Sequence, residues 1–301
     1  MAVPGLTPSG RPPSLRLRRL AAELRRLRQT ARLTREAVAD RTELNSATLW
    51  RIENGRVRPQ RRTLLALMDL YGVHDERRRA ELIDLTRPET PAGDPPFLTD
   101  GQPPDGHATL LHFESEAHRV RLYEWRFVPD LLQTDRYAHA VLAGLHPDVG
   151  PDEIDRLATV RAHRRARLDA DPPIEVHALL DESALHRRVG DDRTHRAQLR
   201  RLSELAEAPR ITIQVLPYGL GAHVGLRSAF AIIDFPDPAD AGLVCVESHR
   251  EPVFLEEPAE LADHVTRFER LCAVALDPDR SRSLVSGLVT SRGRSAPRPA
   301  G

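Results

Sequence analysis

Between Asn45 and Arg58 the run NSATLWRIENGRVR spaces small, polar and basic side chains along one face of a short helix. At about 100° per residue, turning Leu49 and Ile52 inward leaves Ser46, Ala47, Trp50, Arg51 and Asn54 outward. Such a face suits the reading of base edges in a DNA major groove, with the helix N-terminus nearest the bases. The Arg51 guanidinium can bond bidentately to guanine O6 and N7, worth about 1–3 kcal/mol of discrimination. Ala47 suits either contact with a thymine methyl or simple close approach. Trp50 either wedges beside the nucleic-acid backbone or packs on the next helix, and packing is the expectation.

The rest of the chain offers weaker chemistry. His112 and His118 with Glu114 and Glu116 have the composition of a metal site. A spacing of six leaves the two imidazoles about 120° apart around a helix, so a solvated helix is the better reading. Gly219, Gly221 and Gly225 lie between two strands and present no helix N-terminus to a phosphate. Arg161, Arg164, Arg165 and Arg167 read as the wet face of a helix. Ser248-His249 lacks the spacing of an activated nucleophile, and no G-x-S-x-G, H-E-x-x-H or C-x-x-C motif occurs. Gln133, Thr134, His177, Asp181, Glu182, His223 and Glu247 are candidates for a ligand or partner pocket, because buried polar groups need partners. Each of them, taken alone, reads better as a helix cap or a bridge between strands. No enzyme, metal or cofactor is expected. Cys245 and Cys272 are the only cysteines and are expected as reduced thiols.

The elements that would position these residues follow from periodicity and punctuation. Leu17, Leu20, Leu24 and Leu27 predict a first helix. Thr34 caps a second that ends near Arg41. Asn45 caps a third, with Leu44 and Leu49 placed for a hydrophobic staple, and Asn54-Gly55 ends it. Residues 61–71 predict a fourth helix, and Asp75 caps a fifth. Further on, helices are predicted at about 107–122, 131–144, 152–169, 182–189, 194–207 and 258–276. Strands are predicted at 174–180, 211–217, 228–235, 242–248 and 252–256. The last four follow one another through short turns, which predicts an antiparallel meander. Pro, Gly and Asp concentrate in 87–106, which suits a linker. The expected organisation is a tail (1–13), a helical DNA-binding domain (14–86), a linker (87–106), an α+β regulatory and dimerisation domain (107–288) and a second tail (289–301).

The residues at 33–55 (LTREAVADRTELNSATLWRIENG) and 63–73 (TLLALMDLYGV) resemble the XRE/Cro/phage-repressor helix-turn-helix family. The resemblance implies a five-helix, λ-repressor-like all-α fold. It places Ser46, Ala47 and Arg51 at the usual base-reading positions. Arg35 stands where the family touches phosphate, and Arg56 and Arg58 fall in a loop that contacts the backbone. Asn45, Thr48, Trp50 and Asn54 complete the expected DNA-contacting set. Glu53 is expected to pair with Arg28. Glu43 departs from the pattern, since its position often carries Gly at positive φ, where a side chain costs about 1 kcal/mol.

Segments 123–142, 181–207, 211–238 and 256–282 resemble the C-terminal domain of unknown function attached to such repressors in actinobacteria. That resemblance implies an antitoxin-like regulator, often encoded beside a very small partner protein. Charge agrees with a polyanionic partner for the first third. Residues 1–90 hold 19 Arg against 11 acids, and 91–301 hold 25 against 33. No stretch approaches the roughly 20 apolar residues of a membrane span. The expectation is therefore a cytoplasmic, nucleoid-associated regulator. It would bind double-stranded DNA as a homodimer, most simply as a repressor, and respond to a small protein partner or to a small molecule. An enzyme with a DNA-binding module is the remote alternative.

Overall fold

A computed structural model describes residues 14–87, 105–237, 240–247 and 252–291. The chain divides into two compact units, residues 1–100 with 237–240 and residues 101–236 with 241–301. The two tails, most of the expected linker and the Ser248-His249 pair lie wholly or largely outside the described residues.

The first unit has five helices: α1 (Leu15–Thr30), α2 (Arg35–Ala39), α3 (Ser46–Glu53), α4 (Arg61–Leu70) and α5 (Glu76–Asp84). Their starts are set by side-chain caps. Thr34 Oγ1 accepts from the Ala37 amide at 3.1 Å, and Asn45 Oδ1 accepts from Thr48 at 2.6 Å. Asp75 Oδ1 accepts from both Arg77 and Arg78. Each satisfies donors that a helix N-terminus leaves open. Leu20, Leu24, Val38, Leu49, Ile52, Leu64, Leu67, Met68 and Leu82 form one buried core, with Leu44 packed against it. The third helix ends as predicted. Gly55 adopts φ 67°, and Arg56 N–H reaches back to the Arg51 carbonyl at 2.8 Å, a left-handed turn that favours glycine. The turn at Glu43 needs no such conformation. The single non-glycine residue at positive φ among those described is Arg32 (φ 57°), just past α1. The expected strain at Glu43 is therefore absent.

The second unit is α+β, but its sheet is mixed rather than antiparallel. Six strands lie in the order β3-β2-β1-β4-β5-β6. They are β1 (Arg119–Glu124), β2 (Glu175–Asp181), β3 (Ile211–Leu216), β4 (Phe230–Asp234), β5 (Leu243–Val246) and β6 (Val253–Leu255). β1 and β3 both run parallel to β2, while β4, β5 and β6, three of the four strands expected in the meander, form one. β3 stands at the far edge, outside that meander. β1 takes the last four residues of the predicted helix 107–122. The helix itself, α6 (Asp105–Glu116), stops before it and takes in two residues assigned to the linker. The parallel pairs require helical crossovers: α7 (Asp135–Leu145) and α8 (Pro151–Arg165) join β1 to β2, and α9 (Glu182–His186) and α10 (Asp192–Leu205) join β2 to β3. α11 (Pro258–Val274) covers one sheet face, burying Tyr123, Leu179, Phe230, Ile232 and Val244 with Phe268 and Leu271. An unpredicted helix, α12 (Pro278–Ser291), packs beside α10 and continues past the expected boundary at 288.

Candidate nucleic-acid interface and the second-domain cleft

α3 is held by a buried acid. Glu53 is fully buried on the inner side of the helix, where Arg28 donates to it through Nε (2.5 Å) and Nη2 (3.1 Å). The expected Arg28–Glu53 pair is thus present. Arg35 joins it, its Nε donating to Glu53 Oε2 at 2.8 Å with the side chain one-third exposed. This triad ties α1, α2 and α3 together, and Glu53 raises the Arg28 pKa against the opposing pull of burial. Arg35, expected at a phosphate, is at least partly committed to its own domain. Arg25 adds a second tie, donating through Nη2 to the Glu53 carbonyl (2.7 Å) and to Asn54 Oδ1 (2.9 Å). Asn54 in turn donates to the Trp50 carbonyl at 2.7 Å. Both ends of its amide close the helix, which leaves it a poor reader of bases.

Opposite this anchored side lies the candidate reading face. Leu49, Ile52 and Glu53 are buried, while Ala47, Trp50 and Arg51 are exposed and Ser46 and Thr48 are partly so. Asn45, itself exposed, is used as the cap. Arg51 donates to Thr48 Oγ1 at 3.1 Å, which lays it along the helix surface. Arg56 is exposed beyond the helix, as are Arg61 and Arg62 at the start of α4. Arg58 is half-buried, with Nη1 donating to the Thr86 carbonyl at 3.3 Å. Trp50 was expected to pack on α4. It is 48% exposed, because its place on α3 is rotated away from the Leu49–Ile52 stripe that meets the core.

The seven polar candidates of the second unit do not converge. Asp181, Glu182 and His223 meet at the end of β2. Asp181 caps α9 through Ser183 N–H, and its Oδ2 lies 3.2 Å from His223 Nε2. Glu182 accepts from the Tyr218 amide at 2.8 Å. His177 lies elsewhere on β2, 2.8 Å from Gln214 Oε1 and edge-on to Phe268; burial lowers its pKa. Thr134 caps α7, and its N–H donates to Gln198. Of the seven, Gln133 and Glu247 alone line a small cleft of about 90 Å³, open to solvent, on the sheet face opposite α11.

That cleft is walled by ions that satisfy one another. Arg164 grips Glu114 through two bonds (2.8 and 2.7 Å) and also donates to Asp130 at 2.8 Å. Burial opposes its charge, but Glu114 and Asp130 outweigh it and raise the Arg164 pKa. Arg161 reaches Asp130 at 3.2 Å and Gln133 Oε1 at 3.2 Å, while Arg165 pairs with Asp135. Arg126 bridges Glu124 and Glu247. Burial pushes the Glu124 carboxyl above its ordinary value, although Arg126 opposes the shift. The arginine run expected as a wet face is therefore largely internal, as is Glu114. His112 Nε2 lies 3.6 Å from Glu116, and no group of three or more possible metal ligands occurs among the described residues. The two cysteines are both free thiols.

Residues 19–82 match the family model of a helix-turn-helix domain, in agreement with the geometry around α3. The protein is a helix-turn-helix regulator of two domains. Residues 107–287 match the domain of unknown function DUF5753, and the chain belongs to that family. No curated protein and no solved structure matches the chain significantly. Among the described residues, no helix is long and apolar enough to cross a membrane.

Proposed function

We propose that this protein is a sequence-specific DNA-binding repressor of the XRE/Cro type, working in the cytoplasm as a homodimer. The observation that carries the reading is the asymmetry of α3: one side is anchored by Glu53, and the other leaves Ala47, Trp50 and Arg51 exposed. Readers of this kind bind half-sites about 34–36 Å apart, which two copies would span. The second domain is the control element, antitoxin-like, answering to a small protein encoded nearby. Its role is regulatory rather than enzymatic, because the charged groups of its cleft are committed to one another.

A gel shift on the gene's own upstream DNA tests this, with and without the neighbouring gene product. A discrete complex at moderate salt that the small protein shifts or releases is the expected result. Failure to bind any discrete site would end the repressor reading. Arg56→Ala should weaken binding evenly across sequences and flatten the salt dependence by about one unit of slope. A second reading is control by a small molecule seated in the cleft beside Gln133 and Glu247, whose wall mixes apolar side chains with a few polar groups. A compound retained through purification and seen by native mass spectrometry would favour it; a protein alone in the pull-down would favour the first.

A further inference from the structure

Trp50 stands out on the exposed side of α3. It is one of two tryptophans in the chain, and 48% of it is open to solvent. A large aromatic side chain left in water on a short helix calls for a reason, since burying such a ring is strongly favourable. The side of α3 that meets the core is already complete with Leu49, Ile52 and Glu53.

Its neighbours narrow the role. At about 100° per residue, Trp50 lies about 40° around the helix from Ser46 and about 60° from Ala47. Both are small and stand one turn nearer the helix N-terminus. The indole is therefore the largest exposed apolar group on this face. Phosphate is a poor partner for an uncharged ring, and exposed arginines at 56, 61 and 62 lie in the flanking loop and on α4. On the base edges of a major groove, the distinctive apolar group is the thymine C5 methyl.

Resting on the DNA-binding reading above, we infer that Trp50 is a specificity-determining residue that packs its indole against a thymine methyl in the operator. Arg51, about 100° further round, would read the adjacent guanine. The half-site would then contain a thymine beside a guanine, selected by shape and apolar contact at one position and by hydrogen bonding at the next.

The test begins with selection from a random duplex library by the full-length protein and by Trp50→Ala. Enriched duplexes are then remade with deoxyuridine in place of each thymine in turn, which removes only the methyl. At one thymine per half-site, wild type should lose about fourfold in affinity, the worth of one buried methyl. Trp50→Ala should bind the parent site about 10-fold or more weaker and be indifferent to deoxyuridine. Its enriched sites should lose the preference for thymine at that position. The variant's thermal midpoint should match wild type, because Trp50 lies outside the core. In a Trp125→Phe background the remaining indole emission should change on adding duplex.

Equal loss on deoxyuridine substitution in wild type and in Trp50→Ala would overturn the inference, as would insensitivity of wild type at every thymine, even though DNA binding itself stood. Enrichment of no sequence by wild type would overturn the functional reading, and this inference with it. A Trp50→Ala variant with a lowered thermal midpoint would place the indole in the fold; Trp50→Phe should then restore stability without the thymine preference if the inference is wrong, and restore both if it is right.

Discussion

Arginine is used in two opposite ways, on the outer side of α3 with the loop and helix after it, and around the cleft of the second domain. On the helix-turn-helix domain, Arg51 meets only the Thr48 hydroxyl among the described residues, and Arg56 and Arg61 are exposed with no carboxylate partner. In the second domain, Arg161, Arg164 and Arg165 stand close together on one helix, yet each is bonded to a carboxylate. The residue type is the same, and the local density is higher in the second case. The difference lies in which acids the fold brings within reach. Glu114 and Asp130 precede Arg164 by 50 and 34 residues, and α6 and the turn after β1 carry them onto α8. A guanidinium remains available to phosphate or base where no acid is delivered to it. Counting arginines therefore locates neither a DNA-binding surface nor an internal ion cluster.

The contrast can be broken most forcefully at its anchored end. Glu53→Ala should destabilise the first domain by about 3–5 kcal/mol, the usual cost of leaving a buried cation without its partner. A urea titration followed by far-ultraviolet circular dichroism would show it, and unchanged stability would mean the Arg28–Glu53–Arg35 triad holds nothing together. Arg164→Ala should cost about as much, toward the lower end of that range, because the side chain keeps 13% exposure. Replacing Glu114 and Arg164 together by Leu and Met should recover most of the loss. If the double variant is no better than the single one, the ions do more than neutralise each other.

At the free end, Arg51→Ala should leave the thermal midpoint unchanged and cost about 1–3 kcal/mol of discrimination at one base pair. Competition binding against single-base operator variants measures this. The smallest effect is expected where an ion pair is neither anchored nor free. Glu23 on α1 is hydrogen-bonded by Arg26 and ion-paired with Arg78 of α5, and Arg26 first holds its carboxyl at about 2, below the usual carboxylate range. Its folded-state value is depressed, so the stabilisation is fully present above the unfolded value of about 4.5 and is lost as pH falls toward 2. Solvent screening limits it to on the order of 1 kcal/mol. Glu23→Gln should flatten stability across that window, and parallel curves for the two proteins would remove this role.

The same comparison explains what the sequence could tell. The first domain was legible because its boundaries are written locally: Thr34, Asn45 and Asp75 cap helices whose donors lie two or three residues away. β1 was hidden because Phe113, Ala117 and Val120 continue a helical spacing across the junction, with no turn residue to interrupt it. Its alternation of Arg119, Val120, Arg121 and Leu122 is a strand signal too short to outweigh that run. α12 was missed because Pro278 reads as a stop when it stands at the helix start, where proline's fixed φ is favourable. Among the site residues, the outward set on α3 followed from spacing, and the Glu53 pairing from the family resemblance. The exposure of Trp50 did not, since it depends on where α4 lies. The dispersal of the seven polar candidates was invisible because it depends on strand order.

The central place of β1 also sets a timetable for synthesis. Arg119 of β1 faces Glu175 in β2 on one side and Asp234 in β4 on the other. Loops of that length must close before either pairing is rewarded, and mixed sheets of this kind fold slowly. The buried core of the helix-turn-helix domain draws on residues 17–85, all of them made before β1. It should emerge from the ribosome already folded while β1 still waits for its neighbours, so a newly made chain would hold a finished DNA-binding head before it has a finished regulatory domain. Pulse-labelled hydrogen exchange on stalled nascent chains would record protection in α1–α5 well ahead of β1; simultaneous protection of the two would contradict this order.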